Sequence, residues 1–189
     1  MPTLLTHPAV PLALGLGLGA GHISRRLLIA GIALSMLPDL DVLAFQFHIP
    51  YAAGLGHRGF THSLIFATVV ALLAALLLRR YQERAVPAFL FLWVAIASHG
   101  ALDALTNGGY GIAFFWPFSL ERYFAPFRVI EVSPLGAGRF FSHRGATVLM
   151  SEFLWVWIPC IVLYAVLAAY RRLAPGRQAA GAPDEGTGP

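Results

Sequence analysis

VPAFLFLWVAIASHGALDALTN, residues 86–107, decides the fold class. A helix needs roughly 20 apolar residues, rising about 1.5 Å each, to cross a hydrocarbon core of about 30 Å. This stretch meets that length, and its only ionisable groups are His99 and Asp103. Outward from it, apolar segments recur at 8–22, 27–45, 61–78 and 148–170, each bounded by Arg, Gly, Pro or polar residues. The first is short and rich in glycine (Gly15, Gly17, Gly19, Gly21), so it reads as a partial or tightly packed helix. The expected fold is therefore an all-α, polytopic membrane bundle of about five helices, with four full spans as the lower count. Composition agrees: 58% of the 189 residues are hydrophobic and 12% charged, far from the balance of a soluble domain.

All thirteen basic residues are Arg, against nine acids, and they sit at the ends of apolar runs rather than in a stripe. That placement suits membrane flanks and excludes a nucleic-acid surface. Arg25 and Arg26 follow the first segment, Arg79, Arg80 and Arg84 the third, and Arg171, Arg172 and Arg177 the last. With five spans all eight share one side, which the positive-inside rule makes cytoplasmic, with the N-terminus outside. Arg58, Arg122, Arg128, Arg139 and Arg144 run against that rule. MPTLLTHP has no basic n-region, so the N-terminus is expected to be retained. Residues 1–173 read as the membrane-embedded domain and 174–189, APGRQAAGAPDEGTGP, as a disordered tail. The stretch 108–147, rich in aromatic residues, Gly and Pro, reads as an interfacial cap. Cys160, alone in an apolar run, allows no internal disulfide and reads as a small buried residue.

Ionisable groups at membrane depth are costly and point to function. His99 and Asp103 stand at i and i+4, so both project from one helix face, where imidazole and carboxylate can grip one cation or merely bond each other. In HRGFTHS, residues 57–63, Thr61 is a helix N-cap candidate and Gly59 permits a tight turn that would bring His57 and His62 together. Arg58 could meet a phosphate bidentately or anchor at headgroup level. In PDLD, residues 38–41, a proline and two carboxylates argue for a helix break at a polar cavity.

Counting at about 1.5 Å per residue from the arginine boundaries, Asp39 lies about 20 Å up, His99 about 22 Å, His62 about 25 Å and His7 about 27 Å; Asp103 and Glu152 both come to about 28 Å. The groups therefore share one level near one membrane face, and this coincidence favours a metal site. His22, His48 and His143 read as ordinary histidines.

Thr6-His7, PDLD, HRGFTHS and HGALD, in this order and spacing, resemble the YdjM-like family of membrane-bound, predicted metal-dependent hydrolases. The likeness covers about the first 110 residues. It implies a polytopic protein of the bacterial inner membrane with hydrolase activity. A more distant likeness is to zinc-dependent bacterial phospholipase C, whose places would be filled by His7, Asp39 or Asp41, His57 or His62, and His99 with Asp103. That enzyme's further downstream H-x-x-x-[DE] ligands have no counterpart after Asp103, so one or two metals are expected rather than three.

The reading is a membrane hydrolase whose divalent metal, zinc by preference, is held by His99, Asp103, His62 and Asp39 or Asp41, with His7 a further candidate ligand. His57 or the spare aspartate would be general base and Arg58 would meet transition-state charge. Headgroup depth points to a phospholipid or lipid-linked phosphate in the bilayer as substrate. The alternative is a non-enzymatic membrane protein that uses the cluster to bind a metal or tie helices together. A transporter would carry polar residues on to the other face, and 63–78 and 86–97 have almost none there.

Overall fold

The structure, a computed structural model, describes residues 1–81, 83–133 and 141–173. The expected tail and part of the expected cap lie outside the described residues. The described chain is all-helical, with two isolated β-bridges, Thr106 with Ile130 and Ile112 with Tyr123, and no strands. Helix α1 spans Ala9–Leu18. Helix α2, Arg25–Met36, continues as a 3₁₀ helix over Leu37–Phe47. Then come α3, Leu64–Leu78, and α4, Ala85–Ala104. Helices α5, His143–Glu152, and α6, Ile158–Leu173, are joined by a π turn over Phe153–Trp157.

Four of these rods are long and apolar enough to cross a membrane: Arg25–Phe47, Leu64–Tyr81, Ala85–Ala104 and His143–Leu173. The ten residues of α1 rise about 15 Å, half a hydrocarbon core, so α1 is the partial helix that its glycines suggested. The last rod begins at His143, five residues ahead of its apolar run, because its first turn is a polar one in which Arg144 pairs with Glu131 at 2.8 Å.

Two local details differ from the sequence reading. Pro38 does not break its rod: the chain tightens to 3₁₀ geometry and runs on to His48, whose left-handed conformation (φ 57°) ends it. The N-cap of α3 is Ser63, whose Oγ accepts from the Phe66 amide at 3.1 Å, while Thr61 donates instead to Asp41 at 2.7 Å.

α4 packs between α2 and α3, and α1 lies against α6. The buried side of α3 is Ala67, Ala71 and Ala75, one residue per turn, packed in a cluster with Ala88, Phe91, Leu92 and Ile96 of α4. Its large residues, Leu72, Leu73, Leu76 and Leu77, face outward. Lipid tails are as apolar as leucine, so helices associate through close packing of small residues and leave the bulky ones to the bilayer.

One end of the bundle gathers the arginines. Arg26 and Arg80 lie 4.9 and 5.1 Å from the Tyr81 ring centroid, and Arg171 donates to the carbonyls of Leu16 and Gly17. The opposite end carries the histidines and aspartates, closed over by the segment after α4. That segment is pinned through the Ala113 amide to the Arg58 carbonyl at 3.1 Å and through the Leu64 amide to the Phe114 carbonyl at 3.0 Å.

Candidate metal centre

Helix α4 presents His99 and Asp103 from one face, as the i,i+4 spacing requires. The 3₁₀ continuation of α2 presents Asp39, and a single 3₁₀ turn, Phe60–His62, presents His62. These four residues are all buried, and each offers a donor atom within 4.8 Å of the others. His62 Nε2 lies 3.1 Å from His99 Nε2 and 3.3 Å from Asp103 Oδ2, and His99 Nε2 lies 3.3 Å from Asp39 Oδ1. Donors bound at about 2.0–2.1 Å on a tetrahedral ion stand about 3.3 Å apart, so the spacing suits a small divalent cation.

The far nitrogens fix which atoms face inward. His99 Nδ1 is 2.7 Å from the Ser35 carbonyl oxygen, which can only accept, so Nδ1 carries the hydrogen and Nε2 keeps its lone pair. His62 Nδ1 faces the Asp41 carboxylate at 3.2 Å, with the same consequence. Two lone pairs opposed at 3.1 Å repel unless a proton or a cation lies between them. Among the described residues neither oxygen of Asp39 nor of Asp103 makes an aligned hydrogen bond, although Asp103 Oδ2 is ion-paired to Arg58 Nε at 3.1 Å; buried carboxylates left this way suit ligation. Without a metal, burial opposes charge on His62, but Asp103 and Asp41 outweigh it and hold its pKa up to about 9.

Two close approaches depend on glycine. A Cβ at Gly59 would stand 2.2 Å from the Gly54 carbonyl oxygen, so the turn into His62 closes only without a side chain. At Gly100 a Cβ would stand 3.2 Å from the His62 carbonyl oxygen, tight enough to push α4 away from that turn.

Asp41, weighed with Asp39 as a ligand, lies behind the histidines. It accepts from Thr61 Oγ1 at 2.7 Å and the Arg58 amide at 3.0 Å, and it holds His57 Nδ1 at 2.5 Å and His62 Nδ1 at 3.2 Å. Such a carboxylate orients a ligand imidazole and raises its basicity. Asp41→Asn is expected to weaken metal affinity by about 10–100-fold while leaving the site able to fill at saturation. Asp39→Asn should prevent filling. Metal titration of the two variants checks this, and equal losses would make both aspartates ligands.

His57 is thus paired with Asp41 beside the four donors, not among them. Its ring stands 5.7 Å from that of His62. Arg58, fully buried and in left-handed conformation (φ 62°), turns inward. Its Nε lies 3.1 Å from Asp103 Oδ2, Nη1 donates to the Gly108 carbonyl at 2.9 Å, and Nη2 to Thr106 Oγ1 at 3.1 Å. His7 is fully buried and stacked on His99, with centroids 3.6 Å apart, and its Nε2 lies 3.6 Å from Asp39 Oδ2. Neither His7 nitrogen has a hydrogen-bond partner among the described residues. Burial, and then the neighbouring His99, lowers its pKa to about 3, so it is neutral with a lone pair free.

Three supports escaped the sequence reading. Glu152, placed at the right depth but given no role, accepts from the Thr3 amide and from the hydroxyls of Thr3 and Thr6, tying down the segment that carries His7. Arg122 donates to the carbonyls of Tyr51, Ala53, His57, Arg58 and Gly111, bracing the loop before His62. Ser35 acts through its backbone, for which no residue type could give a signal.

The chain is 50% identical over 173 residues to the inner membrane protein YbcI of Escherichia coli (strain K12), a match covering 91% of this chain and all of that protein. No solved structure matches it. Residues 1–174 match the family model described as YdjM inner membrane protein, beyond the first 110 residues that carried the resemblance in sequence. Four apolar rods, a buried His/Asp cluster at one end and these two matches place the chain in the YdjM inner membrane protein family, as a multi-pass protein of the inner membrane.

Proposed function

We propose that this protein is a metal-dependent hydrolase that cleaves a phosphoester or other ester of an amphiphilic substrate at the membrane interface. The observation that carries the reading is the pair of imidazole Nε2 atoms opposed at 3.1 Å beside two buried carboxylates whose oxygens make no aligned hydrogen bond among the described residues. Asp39, His62, His99 and Asp103 would hold the ion, and zinc suits a mixed imidazole and carboxylate set at tetrahedral spacing. A bound divalent ion supplies Lewis acidity, easing deprotonation of a water and polarising the scissile oxygen.

The chain's own groups supply the rest. His57, with Nδ1 held by Asp41 at 2.5 Å, is oriented as a general base by a carboxylate, the arrangement that fixes a catalytic imidazole's tautomer. His7, neutral and without a hydrogen-bond partner among the described residues, offers a further lone pair to the ion. Arg58 brings positive charge through Asp103 and leaves two of its five N–H groups uncommitted among the described residues. A phospholipid or lipid-linked phosphate fits because the site lies at one end of the spans, where a headgroup would stand.

One feature favours a second reading. Four protein donors complete a tetrahedral shell, as structural zinc sites do, whereas catalytic sites keep a position for water. A non-enzymatic metal binder follows if all four bind at once. The decisive experiment measures metal content and hydrolysis of a panel of phospholipids and lipid phosphates on the same preparations. Stoichiometric metal with turnover of a panel member is the expected result; full metal with no turnover leaves the binder.

A further inference from the structure

A large cavity lies far from the His/Asp cluster, at the arginine-rich end. It encloses about 550 Å³ between α1, α2 and α4. Its walls are apolar: Leu18 from α1, Leu27 from α2, and Phe91 and Val94 from α4. Its rim is polar: His22 and Ser24 from the turn before α2, and Glu83 and Arg84 from the turn before α4. An apolar slot under a polar rim fits an amphiphile, and the rim's charges say which kind.

Arg84 is exposed and makes no ion pair or side-chain hydrogen bond among the described residues. It is the last residue before α4, at the N-terminal end whose amides also favour an anion. Glu83 stands beside it. One of its oxygens accepts from Ser24 Oγ and the other has no partner among the described residues. His22, also in the lining, bonds the Leu18 carbonyl through Nδ1. The rim thus offers one unpaired guanidinium and one half-used carboxylate, side by side. A phosphate matches the first and a primary ammonium, with three N–H donors, matches the second. A phosphatidylglycerol headgroup offers Glu83 only neutral hydroxyls and no compensating charge, and a quaternary ammonium has no N–H to donate.

We infer that this cavity is a binding site for a phospholipid with an amine-bearing headgroup, its phosphate on Arg84, its ammonium on Glu83 and one chain in the slot between α1 and α4. The site is independent of the metal centre, lies at the other end of the bundle and involves none of its residues.

Native mass spectrometry of the full chain in detergent tests this with equal amounts of phosphatidylethanolamine, phosphatidylglycerol and phosphatidylcholine. Retention of phosphatidylethanolamine about two- to fivefold above either competitor is expected, the scale of one partly exposed ion pair. Glu83→Gln should bring phosphatidylethanolamine down to the level of phosphatidylglycerol, and Arg84→Ala should lower retention of all three. Equal or greater retention of phosphatidylglycerol by the parent overturns the proposal, as does an unchanged ratio in Glu83→Gln. A lipid-free dimer in the same spectra gives the slot to a second copy and overturns it too. If Arg84→Ala does not fold, the parent's preference and the Glu83→Gln ratio still decide the outcome.

Discussion

Asp103→Ala and His99→Ala are each expected to abolish retention of divalent metal by the purified protein, while His22→Ala retains it in full. Each of the first two removes a donor from a buried set of four, and the loss should exceed the roughly 10–100-fold effect of changing a supporting residue. Asp103→Ala goes further. It leaves the Arg58 guanidinium, fully buried and 3.1 Å from the lost carboxylate, without its counter-charge, and an uncompensated buried charge costs about 3–5 kcal/mol. Asp103→Ala should therefore also be the less stable of the two. His22 lines the cavity at the far end and touches no donor. Metal analysis of parent and variants, with unfolding curves on the same samples, measures both effects. If all three variants kept the parent's stoichiometry, the His99–Asp103 pair would be a structural contact and the metal centre would lose its support.

Arg58→Ala is expected to retain metal, to lose stability and to lose turnover. Taking a positive charge from beside Asp103 favours a cation in the site, so metal content should not fall. The metal-free protein then holds a buried carboxylate with one counter-charge fewer, which costs about 3–5 kcal/mol. Metal should stabilise the variant more than the parent, because the ion becomes the chief counter-charge. Hydrolysis should fall about a hundredfold or more if Arg58 steadies transition-state charge, directly or through Asp103. Arg58→Lys should recover only part. A single ammonium cannot reach Asp103, the Gly108 carbonyl and Thr106 together as the planar guanidinium does. Unfolding before and after chelation, alongside turnover, gives the readout. A variant as stable and as active as the parent would return Arg58 to the role of a passive anchor.

Much of the site was legible because helical periodicity and membrane cost are local rules. HGALD announces two donors on one face, since 3.6 residues per turn brings i and i+4 together in any helix. Counting residues from the arginine boundaries placed Asp39, His62 and His7 at one depth before any contact was known. Depth alone also raised Glu152, whose partners, Thr3 and Thr6, lie 146 to 149 residues away in the chain. No local pattern reports such a pairing. Thr61 shows the converse failure: it has the residue type of an N-cap, but Asp41, twenty residues earlier, takes its hydroxyl and Ser63 caps the helix.

By itself, then, the sequence determined that the chain lives in lipid, where its spans begin and end within a few residues, and which polar groups stand at a common level. These follow from apolar run length, from Arg at the boundaries and from the price of ionisable groups in hydrocarbon, all of which are read along the chain. Only the tertiary structure separates Asp39 from Asp41, which are two residues apart on a 3₁₀ turn and so point in different directions: one lies within the group of four that could hold an ion and the other stands behind the imidazoles. It alone turned Arg58 onto Asp103 and set the two imidazole nitrogens face to face. Side-chain direction at a meeting of four separate segments depends on how those segments pack, and packing of small residues against one another leaves no periodic trace from which the angle of approach could be read.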